Sequence, residues 1–157
     1  MINITLPDGS VKQFENNVTP MDVAKSISEG LARNVISASY NGTTIETNTH
    51  LNVNGSLILY TWNDKEGKKA FWHSTAHVLA QALEELYPGV KLSIGPAIEN
   101  GFYYDVDFGS QSISEKDFKS IEDKMLEISR EKHDFIMRSV TKAEALSLYK
   151  SQNNEYK

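Results

Sequence analysis

The sequence has no cysteine among its 157 residues. That excludes disulfides, thiolate metal sites and a cysteine nucleophile within this stretch. It also lacks any apolar run near the ~18–20 residues needed to span a bilayer. The opening Met1-Ile2-Asn3-Ile4-Thr5-Leu6 has no basic segment leading into an apolar one, so no secretory signal is visible. A basic excess is missing too. Lys and Arg number 16 against 21 Asp and Glu, for a net charge of −5. A fold-wide field that would attract nucleic acid is therefore absent, and RNA contact would have to be local or shape-driven. What remains, 39% hydrophobic and 24% charged residues, is an ordinary globular mix.

The pattern changes near residue 62. Over residues 1–62 it is mostly short strands. Ile2, Ile4 and Leu6 alternate with Asn3 and Thr5, the period of a half-buried strand. Pro7-Asp8-Gly9-Ser10 is turn chemistry, and Val11 to Phe14 can return as a hairpin partner. Thr19-Pro20-Met21-Asp22 starts a helix, with Val23, Ala24 and Ile27 as its apolar stripe and Gly30 as its stop. Val35 to Tyr40, Asn41-Gly42 and Thr43 to Ile45 form a tight hairpin. Leu57 to Tyr60 is a last, buried strand. This order suggests a ubiquitin-like β-grasp, with the first and last strands central and parallel. Another small α+β fold remains open.

Residues 63–69, Asn-Asp-Lys-Glu-Gly-Lys-Lys, are polar and of mixed charge, and read as a linker. Residues 70–157 form a second α+β unit. Its first helix runs from about Ala70 to Tyr87, with Trp72, Ala76, Leu79, Leu83 and Leu86 on one face. Two strands, Lys91 to Ile98 and Phe102 to Phe108, turn at Glu99-Asn100-Gly101. A second helix follows Ser114, with Phe118, Ile121, Met125 and Ile128 inward and a Glu115–Lys119 pair outward. Phe135 to Val140 is a candidate strand. Thr141-x-x-Glu144 is a capping box for a helix over residues 142–150. Residues 1–62 carry a charge of −2 and residues 63–157 a charge of −3, so neither half is an electrostatic arm.

The sharpest chemical feature is His73-Ser74-Thr75-Ala76-His77. Two histidines four apart lie on one helix face and can converge on a metal, a phosphate, a water or a substrate oxygen. That face is turned about 100° from Trp72. A metalloprotease would want Glu after the first His, where Ser74 stands. No third ligand completes a zinc site. The pair also reads as two partly exposed helix histidines. His50 and His133 stand alone and read as surface or structural residues. The other feature is Phe102-Tyr103-Tyr104-Asp105. Neighbours on a strand face opposite ways, so at least one tyrosine leaves the core face. It either has its hydroxyl satisfied by backbone or stands on a pocket wall.

Ile4-Thr5-Leu6-Pro7-Asp8-Gly9-Ser10, Pro20-Met21-Asp22-Val23-Ala24, His73-Ser74-x-Ala76-His77 and Ile94-Gly95-Pro96…Asn100-Gly101-Phe102-Tyr103-Tyr104-Asp105 together resemble the N-terminal region of the bacterial threonyl-tRNA synthetases. The resemblance covers nearly the whole chain, in order. It implies a β-grasp TGS domain over 1–62 and the first, truncated part of an α+β editing domain over 70–157. It implies an editing site containing His73, His77 and Tyr104. Glu155-Tyr156-Lys157 resembles the family's Glu-Ser-Tyr-Lys segment, which adds Lys157. On this reading His73 and Lys157 orient or activate water, while His77 and Tyr104 hold the terminal adenosine and the substrate. The family hydrolyses mischarged Ser-tRNA(Thr), because one methyl group, worth ~1–3 kcal/mol, is too little for its synthetic pocket to exclude serine.

Two positions depart from the family. Thr75 stands where many members have Cys, and a residue of similar size and polarity keeps the packing. The later Cys-x-x-x-His segment is absent, so the chain reads as a piece of a longer enzyme and as inactive by itself. The resemblance implies no cofactor or metal in these residues, with ATP, Mg and one Zn belonging to the aminoacylation core. It implies the tRNA(Thr) acceptor end as partner, a homodimer formed through that core, and a cytoplasmic protein with no membrane association. Two other classes compete. A stand-alone TGS binding or regulatory module needs neither the histidine pair nor the Phe-Tyr-Tyr-Asp run. A metal-dependent trans-editing hydrolase needs a full ligand set, and stoichiometric zinc would favour it.

Overall fold

The computed structural model describes residues 1–133, 136, 138–153 and 156. The chain divides into two compact units, Met1–Phe71 and Trp72–Lys157.

The first unit is built on a five-stranded sheet. β1 (Ile2–Thr5) pairs antiparallel with β2 (Val11–Phe14), Ile2 opposite Phe14 and Thr5 opposite Val11. The turn between them works as its residues require: Gly9 sits at φ +84°, and the Asp8 carboxylate accepts from the Ser10 amide at 2.9 Å. α1 (Pro20–Ile27) opens on Thr19, whose hydroxyl accepts from the Asp22 amide, while the Asp22 carboxylate accepts from the Thr19 amide. That reciprocal cap satisfies donors the first helical turn leaves open. Gly30 does not end this helix. Ser28, in extended conformation, ends α1 and caps α2 (Glu29–Asn34), which contains Gly30. A side-chain oxygen able to cap the next helix outcompetes the glycine signal.

β3 (Val35–Tyr40) and β4 (Thr43–Ile45) form the expected hairpin, with Asn41 and Gly42 both at positive φ. Both positive angles are what a two-residue type I′ turn demands. β5 (Gly55–Thr61) lies parallel to β1 and antiparallel to β3, giving the order β2-β1-β5-β3-β4. The first and last strands are thus adjacent and parallel, as the sequence suggests. Ile2, Ile4, Val23, Ala38, Leu51 and Leu57 form the core. β5 is not buried on both faces. Leu57 is fully enclosed, but Ile58 points outward and is 42% exposed, because α1 covers one face of the sheet only.

The segment expected to be a linker is not one. After a turn, α3 (Lys65–Leu86) begins inside it, and the boundary between the units falls within this helix. The Asp64 carboxylate accepts from the Thr61 amide at 2.7 Å, and the Lys68 amide donates to the Asp64 carbonyl at 3.0 Å. Gly67 is there for close packing: a Cβ on it would overlap the Thr61 carbonyl oxygen. Apart from Gly67, the residues at 65–69 are good helix formers, so the polar run continues into helix once Asp64 starts it.

In the second unit, Ala80 and Leu83 of α3 join Leu92 and Ile121 in the core, flanked by Leu79, Leu86, Tyr87, Tyr104, Val106 and Phe108. The two long strands expected here are four short ones. β6 (Lys91–Leu92) pairs with β9 (Val106–Asp107), and β7 (Ala97–Ile98) pairs with β8 (Gly101–Phe102). The ladder is interrupted between these two pairs, a stretch that contains Pro96, which has no N–H to donate. α4 (Glu115–Glu131) buries Ile121 and Ile128, whereas Phe118 is 51% exposed. Lys119 pairs forward with Asp123 at 3.0 Å rather than back with Glu115. Of the candidate strand at 135–140, Phe135 and Met137 lie outside the described residues, and the others are irregular. α5 (Lys142–Ser151) opens on the Thr141–Glu144 capping box. No described helix is long and apolar enough to cross a membrane.

Candidate functional site

His73 and His77 occupy successive turns of α3, one turn apart. Ala76 between them is buried, which fixes the helix face toward the core and leaves both imidazoles on the exposed side. Their Nε2 atoms are 3.2 Å apart and the rings meet edge to face, with centroids 4.7 Å apart. One ring donates to the other, and the tautomers set which one. A water bridging the two nitrogens by ordinary hydrogen bonds would need about 4.6 Å between them. Admitting a water or a substrate oxygen therefore requires one ring to turn. Exposed side chains change rotamer within nanoseconds, so the turn is fast.

His77 also lines a half-open cavity of about 360 Å³. Val78 and Gln81 of α3 form one wall and Ile128 and Ser129 of α4 the other, with Lys132, His133 and Ile136 at the end. His133, solitary in the sequence, thus comes to the same cavity as His77. Its Nε2 lies 2.7 Å from the Glu131 carboxylate. No sequence spacing signals this, because α3 and α4 meet only through the tertiary packing. Across those helices, Lys124 bridges Glu85 at 3.4 Å and Glu127 at 3.0 Å. The Glu127 carboxylate, then that of Glu85, holds the Lys124 ammonium above its ordinary pKa. The other solitary histidine, His50, is exposed and has its Nδ1 2.9 Å from the Asn17 carbonyl.

Tyr104 is placed differently. Its ring packs on the second core and lies against Gly95, where any Cβ would overlap its Cδ2 and Cε2 atoms. The Asp105 amide donates to the Ile94 carbonyl at 2.9 Å, locking the two segments side by side. Tyr103 is the neighbour that leaves the core, 46% exposed. The alternation expected of adjacent tyrosines therefore holds, and Gly95 sets which one goes inward. Tyr104 does not line the cavity beside His77.

Lys157 lies outside the described residues. Tyr156, next to it, donates its hydroxyl to the Asp107 carboxylate at 3.1 Å and stacks beneath the Lys91 ammonium, 5.7 Å from the ring centre. The Gly109 amide first, then the Tyr156 hydroxyl, keeps the Asp107 carboxyl below its ordinary range. This anchor was not read from the sequence, since it joins residues 49 positions apart. Among the described residues no group of three or more His, Asp or Glu is arranged to hold a metal ion.

The fold and these elements define a β-grasp domain followed by an α+β unit that carries a paired-histidine helix. Residues 2–61 match the TGS domain family. Over all 157 residues the chain is 72% identical to a threonine–tRNA ligase of Flavobacterium psychrophilum and 73% identical to that of Flavobacterium johnsoniae. It is 50% identical to the one of Cytophaga hutchinsonii. The chain spans 24% of the length of each of these relatives. Over its whole length the chain is thus similar to the N-terminal quarter of these ligases, and residues 2–61 of its first unit carry the TGS match.

Proposed function

We propose that this chain serves as the N-terminal region of a threonine–tRNA ligase, a class II aminoacyl-tRNA synthetase. The full-length protein would join threonine to tRNA(Thr) with ATP and Mg in a core that also holds one Zn. The present residues would meet the acceptor end of tRNA(Thr), and the second unit would belong to a site that hydrolyses Ser-tRNA(Thr). We place the enzyme in the cytoplasm as a homodimer formed through its core. The carrying observation is the exposed His73–His77 pair, in a chain 72–73% identical throughout to two threonine–tRNA ligases.

The chemistry follows from the residues. Ester hydrolysis needs an oriented water, a base effective near neutral pH and a donor for the developing oxyanion. Imidazole suits the first two tasks. His73 accepts the water's proton once its ring turns from His77, and Lys157 assists by orienting that water. His77 and Tyr104 hold the terminal adenosine and the seryl group. Tyr156 itself is tied to β9 by its hydrogen bond to Asp107. General-base catalysis contributes about 10²–10⁴-fold. In a full-length enzyme carrying these residues, His73→Ala should slow Ser-tRNA(Thr) deacylation by at least two orders of magnitude and spare threonine activation. A loss below about threefold would remove His73 from the role.

A further inference from the structure

Three Asn-Gly pairs occur in the sequence: Asn41-Gly42, Asn54-Gly55 and Asn100-Gly101. Such a pair can react with itself. The backbone nitrogen of the glycine gives up its proton to water or hydroxide and attacks the asparagine Cγ. The side-chain nitrogen leaves as ammonia, and a five-membered succinimide closes. Glycine permits this because it has no side chain to crowd the ring. Water then opens the ring at either carbonyl. Opening at Cγ leaves Asp, and opening at the backbone carbonyl leaves isoaspartate, in which the chain runs through Cβ. The side-chain amide must be free to reach the glycine nitrogen, and the fold decides where it is.

All three asparagines are exposed, so access of water does not separate them. Anchoring does. The Asn41 Oδ1 accepts from the Ser56 amide at 2.9 Å, and its side chain lies so close over Gly55 that a Cβ there would overlap it. The Asn54 Oδ1 accepts from the Asn3 amide at 2.9 Å. Both side chains are thus tied to the five-stranded sheet of the first unit. Among the described residues none hydrogen-bonds the Asn100 side chain. Asn100 stands in the loop between β7 and β8, whose ladder is two residue pairs long. Ala97, Ile98 and Phe102 of that ladder are not part of the second core, and Ile98 is 49% exposed. A ladder with so little burial opens locally and frees the Gly101 amide. We propose that Asn100-Gly101 is a self-modification site, deamidating in the folded chain ahead of the other two pairs. The product carries a new carboxylate next to Glu99. Isoaspartate also adds one atom to the backbone of the loop, just before the strand that leads into Tyr103 and Tyr104. The site involves neither His73 nor His77 and does not depend on the proposed function.

The test is peptide mapping by mass spectrometry of the 157-residue chain, aged at pH 8 both folded and unfolded in guanidinium chloride. Deamidation and isoaspartate are scored at each of the three pairs. In the folded chain Asn100 should convert at least about tenfold faster than Asn41 and Asn54, the factor that about 1.4 kcal/mol of local opening sets. In guanidinium chloride the three rates should converge, because the anchors are gone and each asparagine still precedes a glycine. Asn41 or Asn54 converting as fast as Asn100 in the folded chain would overturn the proposal. So would an Asn100 that converts more than about tenfold more slowly folded than unfolded, since the loop would then be protecting it. Rates that stay about tenfold apart in the unfolded chain would also overturn it, because neighbouring residues rather than the fold would then set the order.

Discussion

Gly95→Ala is a one-carbon change whose outcome the structure fixes closely. The new Cβ would overlap the Cδ2 and Cε2 atoms of Tyr104 and lie 3.0 Å from its Cγ. Ordinary contact begins near 3.4 Å, so the ring must shift by an ångström or more. It cannot do so freely, because it packs on the core formed by Ala80, Leu83, Leu92 and Ile121. Overpacking of this kind costs about 1–3 kcal/mol. Gly95 does not have a positive φ, so the substitution brings no backbone strain and recovers about 0.4–1 kcal/mol through the unfolded chain. The net loss is about 1–2 kcal/mol, which lowers the melting temperature of a unit this size by roughly 5–15 °C. Differential scanning calorimetry of the chain measures it. The cost belongs to one contact, so in a Tyr104→Ala background Gly95→Ala should be neutral or slightly stabilising. The coupling across that double-mutant cycle should reach at least about 1 kcal/mol. Equal cost in both backgrounds would refute the account, as would a neutral Gly95→Ala in the native background. On the proposed function, the same displacement moves Tyr104, so Ser-tRNA(Thr) deacylation by a full-length protein carrying these residues should fall with it.

Gly67→Ala sets helix propensity against sterics. Propensity favours Ala by about 1 kcal/mol, yet the Cβ would strike the Thr61 carbonyl, which is backbone and cannot swing away. Net destabilisation by urea titration is expected, and a stabilised variant would show that the close approach is absent. Acid should unfold the chain from the carboxylate side. Asp22, Asp117, Glu144 and Asp107 all have carboxyls held below their ordinary range, mainly by the Thr19 hydroxyl, the Ser114 amide, the Thr141 amide and the Gly109 amide. Their folded pKa values are depressed, so their contribution is complete above about pH 4 and is lost as pH falls through the lower folded values. Melting temperatures that stay flat from pH 5 to 2.5 would contradict this. Tyr156→Phe removes one donor from Asp107, so NMR titration should find that carboxyl raised toward its ordinary value, with an unchanged Asp107 counting against the anchor.

The first unit was largely legible because its signals are local. Thr19-Pro20-Met21-Asp22, Asn41-Gly42 and the alternation of Ile2 and Ile4 each specify structure within a few residues, and each formed as expected. The parallel pairing of β1 with β5 followed from element order and the burial both strands need. Misreadings came where a local signal had two meanings. Gly30 reads as a stop, but Ser28 had already ended the helix. Gly67 reads as linker flexibility, yet it serves a close approach to Thr61. Phe118 fits the inward stripe of α4 by spacing, but it stays exposed while Ile121 and Ile128 are buried and Met125 packs on the core.

The candidate site divides the same way. The sequence alone determined that His73 and His77 share a helix face, because the 3.6-residue period places positions four apart side by side. It determined that the adjacent Tyr103 and Tyr104 cannot both point inward. Tertiary structure decided that Tyr104 is the inward one, since Gly95 leaves room for its ring. It decided that His133 shares a cavity with His77 and that Tyr156 reaches Asp107. Periodicity carries information over a turn or a strand. Contacts between distant residues depend on how elements pack, and side-chain shape sets that packing only after the chain has folded.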